Sequence, residues 1–138
     1  IQILPRDLQL WLIERWPERF LPPTVILKRQ KPRWRDEFDR EVNAYRQLRP
    51  LQGDVIPYFY GQVLCRQGEA SSRRAMILSD VGDVSLYGAS CPRIDVHILT
   101  KLLEDAFLAI GKFGLCQVDT RLDNCHLFRD KIVVVDLE

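Results

Sequence analysis

Lys28 closes the apolar run Thr24-Val25-Ile26-Leu27. Asp119 and Asn124 bracket the stretch Asp119-Thr120-Arg121-Leu122-Asp123-Asn124, and Asp136 follows the β-branched run Ile132-Val133-Val134-Val135. Together they offer an amine, two carboxylates and an amide oxygen. Magnesium is a hard cation that takes oxygen ligands, shared between carboxylates and phosphates. An ammonium group neutralises phosphate oxygens, and a carboxylate directly after a buried strand needs a partner or a metal. The set suits the handling of a phosphate chain and its divalent ion. Taken singly the residues read more plainly: Lys28 as a solvated strand edge, Glu41 as a helix surface charge, Asp119 and Asn124 as turn formers. The inference rests on the whole set in order.

These residues need elements to position them. Leu4, Leu8, Trp11 and Leu12 follow a helical stripe that Trp16-Pro17 ends, since the residue before proline avoids the α region. Thr24 to Lys28 reads as a strand. Trp34, Phe38, Val42, Tyr45 and Leu48 recur every three or four residues and predict an amphipathic helix over 34–48. Glu41 lies beside that apolar face. Short strands are predicted around 58–64 and 75–78, with the polar stretch Arg66–Arg74 as a loop between them and 79–93 as a connector. A second helix is predicted over 95–113, with Ile98, Leu102, Leu103, Ala106, Ile110 and Phe113 on one face and Gly114 as its left-handed C-terminal residue. Strands around 126–128 and 131–135, joined through Arg129-Asp130, complete the series.

Composition narrows the class. The chain has 138 residues, about one domain, and its 46% apolar content is enough to bury a core. With 20 basic and 19 acidic residues the net charge is +1, without the strong basic excess of a nucleic-acid binder. The basic run Lys28–Arg35 reads as a solvated loop. No stretch reaches the length of about 18 apolar residues that a bilayer span requires. The N-terminus shows no signal-peptide pattern. Four cysteines without a Cys-x-x-Cys pair, and two histidines, disfavour a zinc site; reduced thiols and an intracellular location, cytoplasm or nucleus, are expected. Cys116 and Cys125 read as small buried hydrophobes, His97 and His126 as core or edge residues, and the three tryptophans as packing residues.

The layout from Thr24 to Glu138 resembles a protein-kinase-like domain of the divergent type common in fungi. In that family a strand lysine contacts the nucleotide phosphates and pairs with a glutamate on the next helix; Lys28 and Glu41 match them. Met76-Ile77-Leu78-Ser79-Asp80 resembles the strand and hinge beside the adenine, with Leu78 and Asp80 as cofactor contacts. The catalytic loop His-Arg-Asp-Leu-x-x-x-Asn corresponds to Gln117–Asn124. The resemblance implies Asp119 as the catalytic base, Arg121 in the place of the usual lysine, and Asn124 with Asp136 as magnesium ligands. Asp-Phe-Gly becomes Asp136-Leu137-Glu138. The implied fold is α+β: a small antiparallel-sheet upper lobe with its helix, then the first part of a helical lower lobe, preceded by a helical segment over 1–23. The implied cofactors are ATP and magnesium, and the implied activity is phosphoryl transfer to a protein hydroxyl, with a protein substrate or protein partner.

The sequence also departs from the family pattern. No glycine precedes Gly53, so the glycine-rich phosphate loop has no counterpart. Gln117 replaces the histidine that braces the catalytic loop. The match breaks off soon after Asp136, so a poorly covered face on the 95–113 helix is expected. Two alternatives follow: a kinase-like binding module without catalysis, and a small-molecule kinase of the aminoglycoside or choline type, whose metal motif often reads Asp-hydrophobic-Glu.

Overall fold

The computed structural model describes residues 4–67, 71–115 and 121–137. It is an α+β structure with three α-helices and two small antiparallel sheets among the described residues. It divides into two compact units that interleave along the chain, residues 1–35 with 58–80, and residues 36–57 with 81–138.

The first unit holds a three-stranded sheet in the order β1-β3-β2, from β1 (Val25–Arg29), β2 (Phe59–Gln67) and β3 (Ser71–Ser79). β3 is central and pairs Lys28 with Met76 on one side and Gln62 with Met76 on the other. Tyr60 is bulged out of the β2–β3 ladder, between Phe59 opposite Leu78 and Gly61 opposite Ile77. Gly61 has φ +129°, a conformation that only glycine adopts readily. The predicted loop 66–74 is instead mostly strand: Arg66 pairs with Ser72 and Leu64 with Arg74. Polar side chains do not end a two-stranded ribbon whose backbone ladder continues, and hydropathy alone therefore misplaced its ends.

α1 (Arg6–Arg15) lies along β2. Its buried residue is Leu10, while Leu8 and Trp11 of the expected stripe are exposed. Trp11 instead meets Trp16 edge-on at 5.7 Å between ring centroids, with the Arg15 guanidinium 5.6 Å from the Trp16 ring. The tryptophans thus pack on neighbours while remaining exposed, and Trp34 is likewise exposed, under the Lys31 ammonium.

The second unit begins with α2 (Arg35–Gln47), which turns Phe38, Glu41, Val42, Ala44 and Tyr45 inward. α3 (Val96–Gly111) starts at Asp95, whose carboxylate accepts hydrogen bonds from the His97 and Ile98 amides at 2.8 and 3.4 Å. Gly114 takes φ +76° just beyond its end, as the helix stop requires. The hairpin of β4 (Cys125–Phe128) and β5 (Lys131–Val134) turns through Arg129 and Asp130, both left-handed, the geometry of a type I′ turn. The predicted connector adds a further piece: the Leu86 amide donates to the Cys125 carbonyl and the Leu127 amide to the Val84 carbonyl. Ala106, Cys125 and Ile132 form a core joined by Leu99, Leu102, Leu103 and Phe107 of α3. Val96, Ile98 and Leu108 remain exposed, so Ile98 does not belong to the packed face. No described helix is long and apolar enough to cross a membrane.

Ile110 is sealed in this unit and Leu108 is open to solvent on the same helix. Ile110→Ala is expected to lower the unfolding free energy by about 2–4 kcal/mol, and Leu108→Ala by no more than about 0.5 kcal/mol, in urea titrations followed by circular dichroism. Equal costs at both sites would contradict the packing described.

Candidate functional site

Helical spacing places Glu41 and Tyr45 one turn apart on the inward face of α2. Both are at 0% exposure, and the two Glu41 carboxylate oxygens and the Tyr45 hydroxyl are shut off from solvent. The Tyr45 carbonyl accepts a hydrogen bond at 2.9 Å from the buried Gln52 side chain, which anchors the end of α2 to the turn that follows. That turn is tied to the hairpin in two places. The Val134 amide donates to the Val55 carbonyl at 2.8 Å, and Lys131 is ion-paired with Asp54.

The hairpin then sets the other two groups. Because Cys125 pairs with Val134, Asn124 falls opposite Val135, and the Val135 amide donates to the Asn124 carbonyl at 3.0 Å. Asp136 is the next residue. Asn124 and Asp136, from the two arms of the hairpin, thereby lie at its open end. Asp136 is half-buried and within electrostatic reach of the Tyr45 hydroxyl. Burial pushes the Tyr45 phenol well above its ordinary 10.0, and the Glu41 and Asp136 carboxylates push it further the same way. Cys125, next to Asn124, is a buried free thiol whose pKa is raised by burial and by Asp123, so it is poorly reactive.

Asn124 is 8% exposed, and its amide nitrogen has no hydrogen-bond partner among the described residues. An amide that no bond through its nitrogen holds can present its oxygen to a cation, and Asp136 follows Val135, the residue opposite Asn124 in the ribbon. Among the described residues no three His, Cys, Asp or Glu side chains gather as a self-sufficient metal site. Two protein oxygens fit magnesium all the same, because that ion commonly completes its shell with phosphate oxygens and water.

Lys28, Leu78 and Asp80 belong to the first unit. Lys28 is half-buried on β1, Leu78 is buried on β3, and Asp80 is exposed just beyond that strand. Arg121 is exposed and pairs with Asp123 at 3.5 Å. Asp119, Gln117 and Cys116 lie outside the described residues. The half-buried His126 sits at a strand edge, its Nδ1 2.8 Å from the Gly82 carbonyl oxygen. Tyr45 and Gln52 are the participants that sequence reasoning passed over. Tyr45 carried a signal, as a polar-tipped aromatic one turn after Glu41; Gln52 carried none. No protein-family model matches the chain, and no curated protein matches it.

The raised phenol has a consequence at alkaline pH. The unfolded chain releases the Tyr45 proton near its ordinary value while the folded chain keeps it, so this contribution to stability is intact below about pH 10 and is lost as pH rises beyond it. Tyr60 acts in the same sense, and Cys125 from about pH 9. Tyr45→Phe is expected to flatten the fall in unfolding free energy above pH 10 by about 1.4 kcal/mol per pH unit. Unchanged slopes in urea titrations across that range would refute the assignment.

Proposed function

We propose that this chain is a protein-kinase-like domain that binds ATP with magnesium and supports phosphoryl transfer to a protein hydroxyl. The observation that carries the reading is a backbone register that brings Asn124 and Asp136 to the same end of the β4–β5 hairpin, with Asp136 within electrostatic reach of the buried Tyr45. An amide oxygen and a carboxylate are ligand types that a magnesium ion bridging two phosphates takes from a protein. In this reading Asn124 and Asp136 hold the ion, Lys28 neutralises phosphate oxygens, and Glu41 serves as the buried anion of α2. Asp119 orients the acceptor hydroxyl and takes its proton. Magnesium, when bound, withdraws charge from the phosphates during transfer. Leu78 and Asp80 are assigned to the adenine end.

One observation favours a second reading, binding without transfer. The residues before β1 form α1 and a short 3₁₀ turn (Pro17–Arg19), where active kinases carry a glycine-rich strand pair over the phosphates. A third reading, transfer to a small alcohol, draws on Asp136-Leu137-Glu138 alone.

Thermal unfolding with and without magnesium-ATP tests the first step. Saturating nucleotide, at a hundred times Kd, is expected to stabilise the protein by about 2.7 kcal/mol, and Asp136→Ala to remove the part of the shift that depends on magnesium. The absence of any shift in the parent protein sinks the nucleotide reading. Transfer of labelled phosphate that Asp119→Asn abolishes selects catalysis over binding alone, and the acceptor that is labelled, protein or small alcohol, decides between the first and third readings.

A further inference from the structure

The whole-chain charge balance conceals a local imbalance. Segments 25–35, 58–67 and 71–79 make up β1, the turn after it, β2 and β3, and they hold eight lysines and arginines and no aspartate or glutamate. An ordinary solvated sheet mixes both signs. Along the chain the acidic residues nearest these segments are Asp36 and Glu37, in the first turn of α2, Asp80, directly after β3, and Glu69, which lies outside the described residues.

Part of this charge surrounds a concavity. Gln30, Lys31, Arg35, Ser72, Arg73 and Arg74 line a cleft of about 320 Å³ within the first unit. Its construction follows from the backbone. The Gln30 amide donates to the Arg74 carbonyl at 2.8 Å, which carries the β1–β3 ladder one residue past Arg29. The chain then turns through Arg33, a non-glycine residue at φ +67°, and the Trp34 amide closes the turn on the Lys31 carbonyl at 3.2 Å. Holding a non-glycine residue in this region costs on the order of 1 kcal/mol, so the turn is determined by its surroundings. The Lys31 ammonium lies 4.7 Å from the Trp34 ring centroid. Gln62 accepts two hydrogen bonds from the Arg74 guanidinium, at 2.6 and 3.2 Å, which fixes its plane. Ser72 is two residues from Arg74 and shares its face of the strand.

We propose that this cleft binds a polyol carrying two or more phosphates, either free or as the headgroup of a lipid. The four basic residues that border the cleft, Lys31, Arg35, Arg73 and Arg74, carry a formal charge that exceeds one phosphate dianion and matches two. The volume is that of a small-ligand site rather than of an extended polymer track. Arginines with a fixed plane recognise phosphate through paired N–H bonds. Gln30 and Ser72 supply neutral partners for ring hydroxyls. Leu64, opposite Arg74 in the ladder and 68% exposed, gives the rim an apolar edge suited to the glycerol end of a lipid headgroup. The site uses none of the residues assigned to magnesium-ATP.

Calorimetric titration of the full chain with inositol trisphosphate, at about 0.15 M salt, tests the proposal. The expected result is saturable one-to-one binding that Arg73→Gln with Arg74→Gln weakens at least tenfold. Lys31→Gln with Arg35→Gln, outside the strands, gives the same loss if the β3 pair fails to fold. Lys101→Gln with Lys112→Gln removes equal charge from the second unit and is expected to change the affinity less than twofold. Asp136→Ala is expected to leave this binding intact, which separates it from the nucleotide reading. Phosphatidylcholine vesicles doped with phosphatidylinositol bisphosphate identify the source. Retention on them, but not on phosphatidylserine vesicles of equal surface charge, supports the lipid headgroup; titration by the free trisphosphate without such retention supports the soluble ligand. The proposal is overturned by absent saturation, by equal loss in the control variant, by equal retention on phosphatidylserine, or by a short RNA that displaces the trisphosphate at lower concentration.

Discussion

The sealing of Glu41 inside the second unit governs much of what surrounds it. An ionised carboxylate removed from water costs several kcal/mol unless its surroundings compensate it. The apolar residues buried beside it, Phe38, Val42 and Tyr45, hold the helix in that orientation against this cost. Turning α2 by one residue would bring Glu41 toward solvent and withdraw Phe38, Val42 and Tyr45 from the core together. The orientation of Tyr45 follows from that of Glu41. Through Gln52, Val55 and Asp54 the end of α2 is joined to β5, so the position of Asp136 is linked to the rotation of a helix that precedes it by most of the chain.

Much of this was legible in the residues themselves. The recurrence of Phe38, Val42, Tyr45 and Leu48 gives both the existence of α2 and the side on which Glu41 falls. The hairpin of β4 and β5 shows in its β-branched run and in the Arg129-Asp130 pair, and a two-residue turn there is enough to bring Asn124 opposite Val135. Other features had no local signature. β2 and β3 run on through Arg66 and Arg74 because a backbone ladder, which hydropathy does not report, holds them. Leu10 is the buried residue of α1 although Leu4, Leu8 and Trp11 make the better stripe, since a ten-residue helix with little amphipathic contrast is oriented by what it packs on. The bonds from residues 84–86 to β4 arise between segments some forty residues apart, and nothing in either one foretells the other.

The two units differ in how they treat charge. The second buries a carboxylate, a phenol and two amides within its core and keeps Lys131 and Asp54 as a pair at its rim. The first gathers cations on a sheet that contains no acid in its described strands and steadies some of them with a neutral amide or an aromatic ring. A chain with nearly equal numbers of acids and bases thus has one region that spends its ionisable groups inward and another that displays them.

Strand parity makes the β4–β5 hairpin a measuring device. Its turn is fixed at two residues and its arms are equal, so the distance from Asp130 to Asp136 determines which side of the ribbon the terminal carboxylate occupies. Lengthening or shortening β5 by one residue would keep its apolar character and its ladder, yet send Asp136 to the opposite surface from the one that faces Tyr45. Lys131 and the four aliphatic residues Ile132, Val133, Val134 and Val135 therefore encode a direction as well as a length.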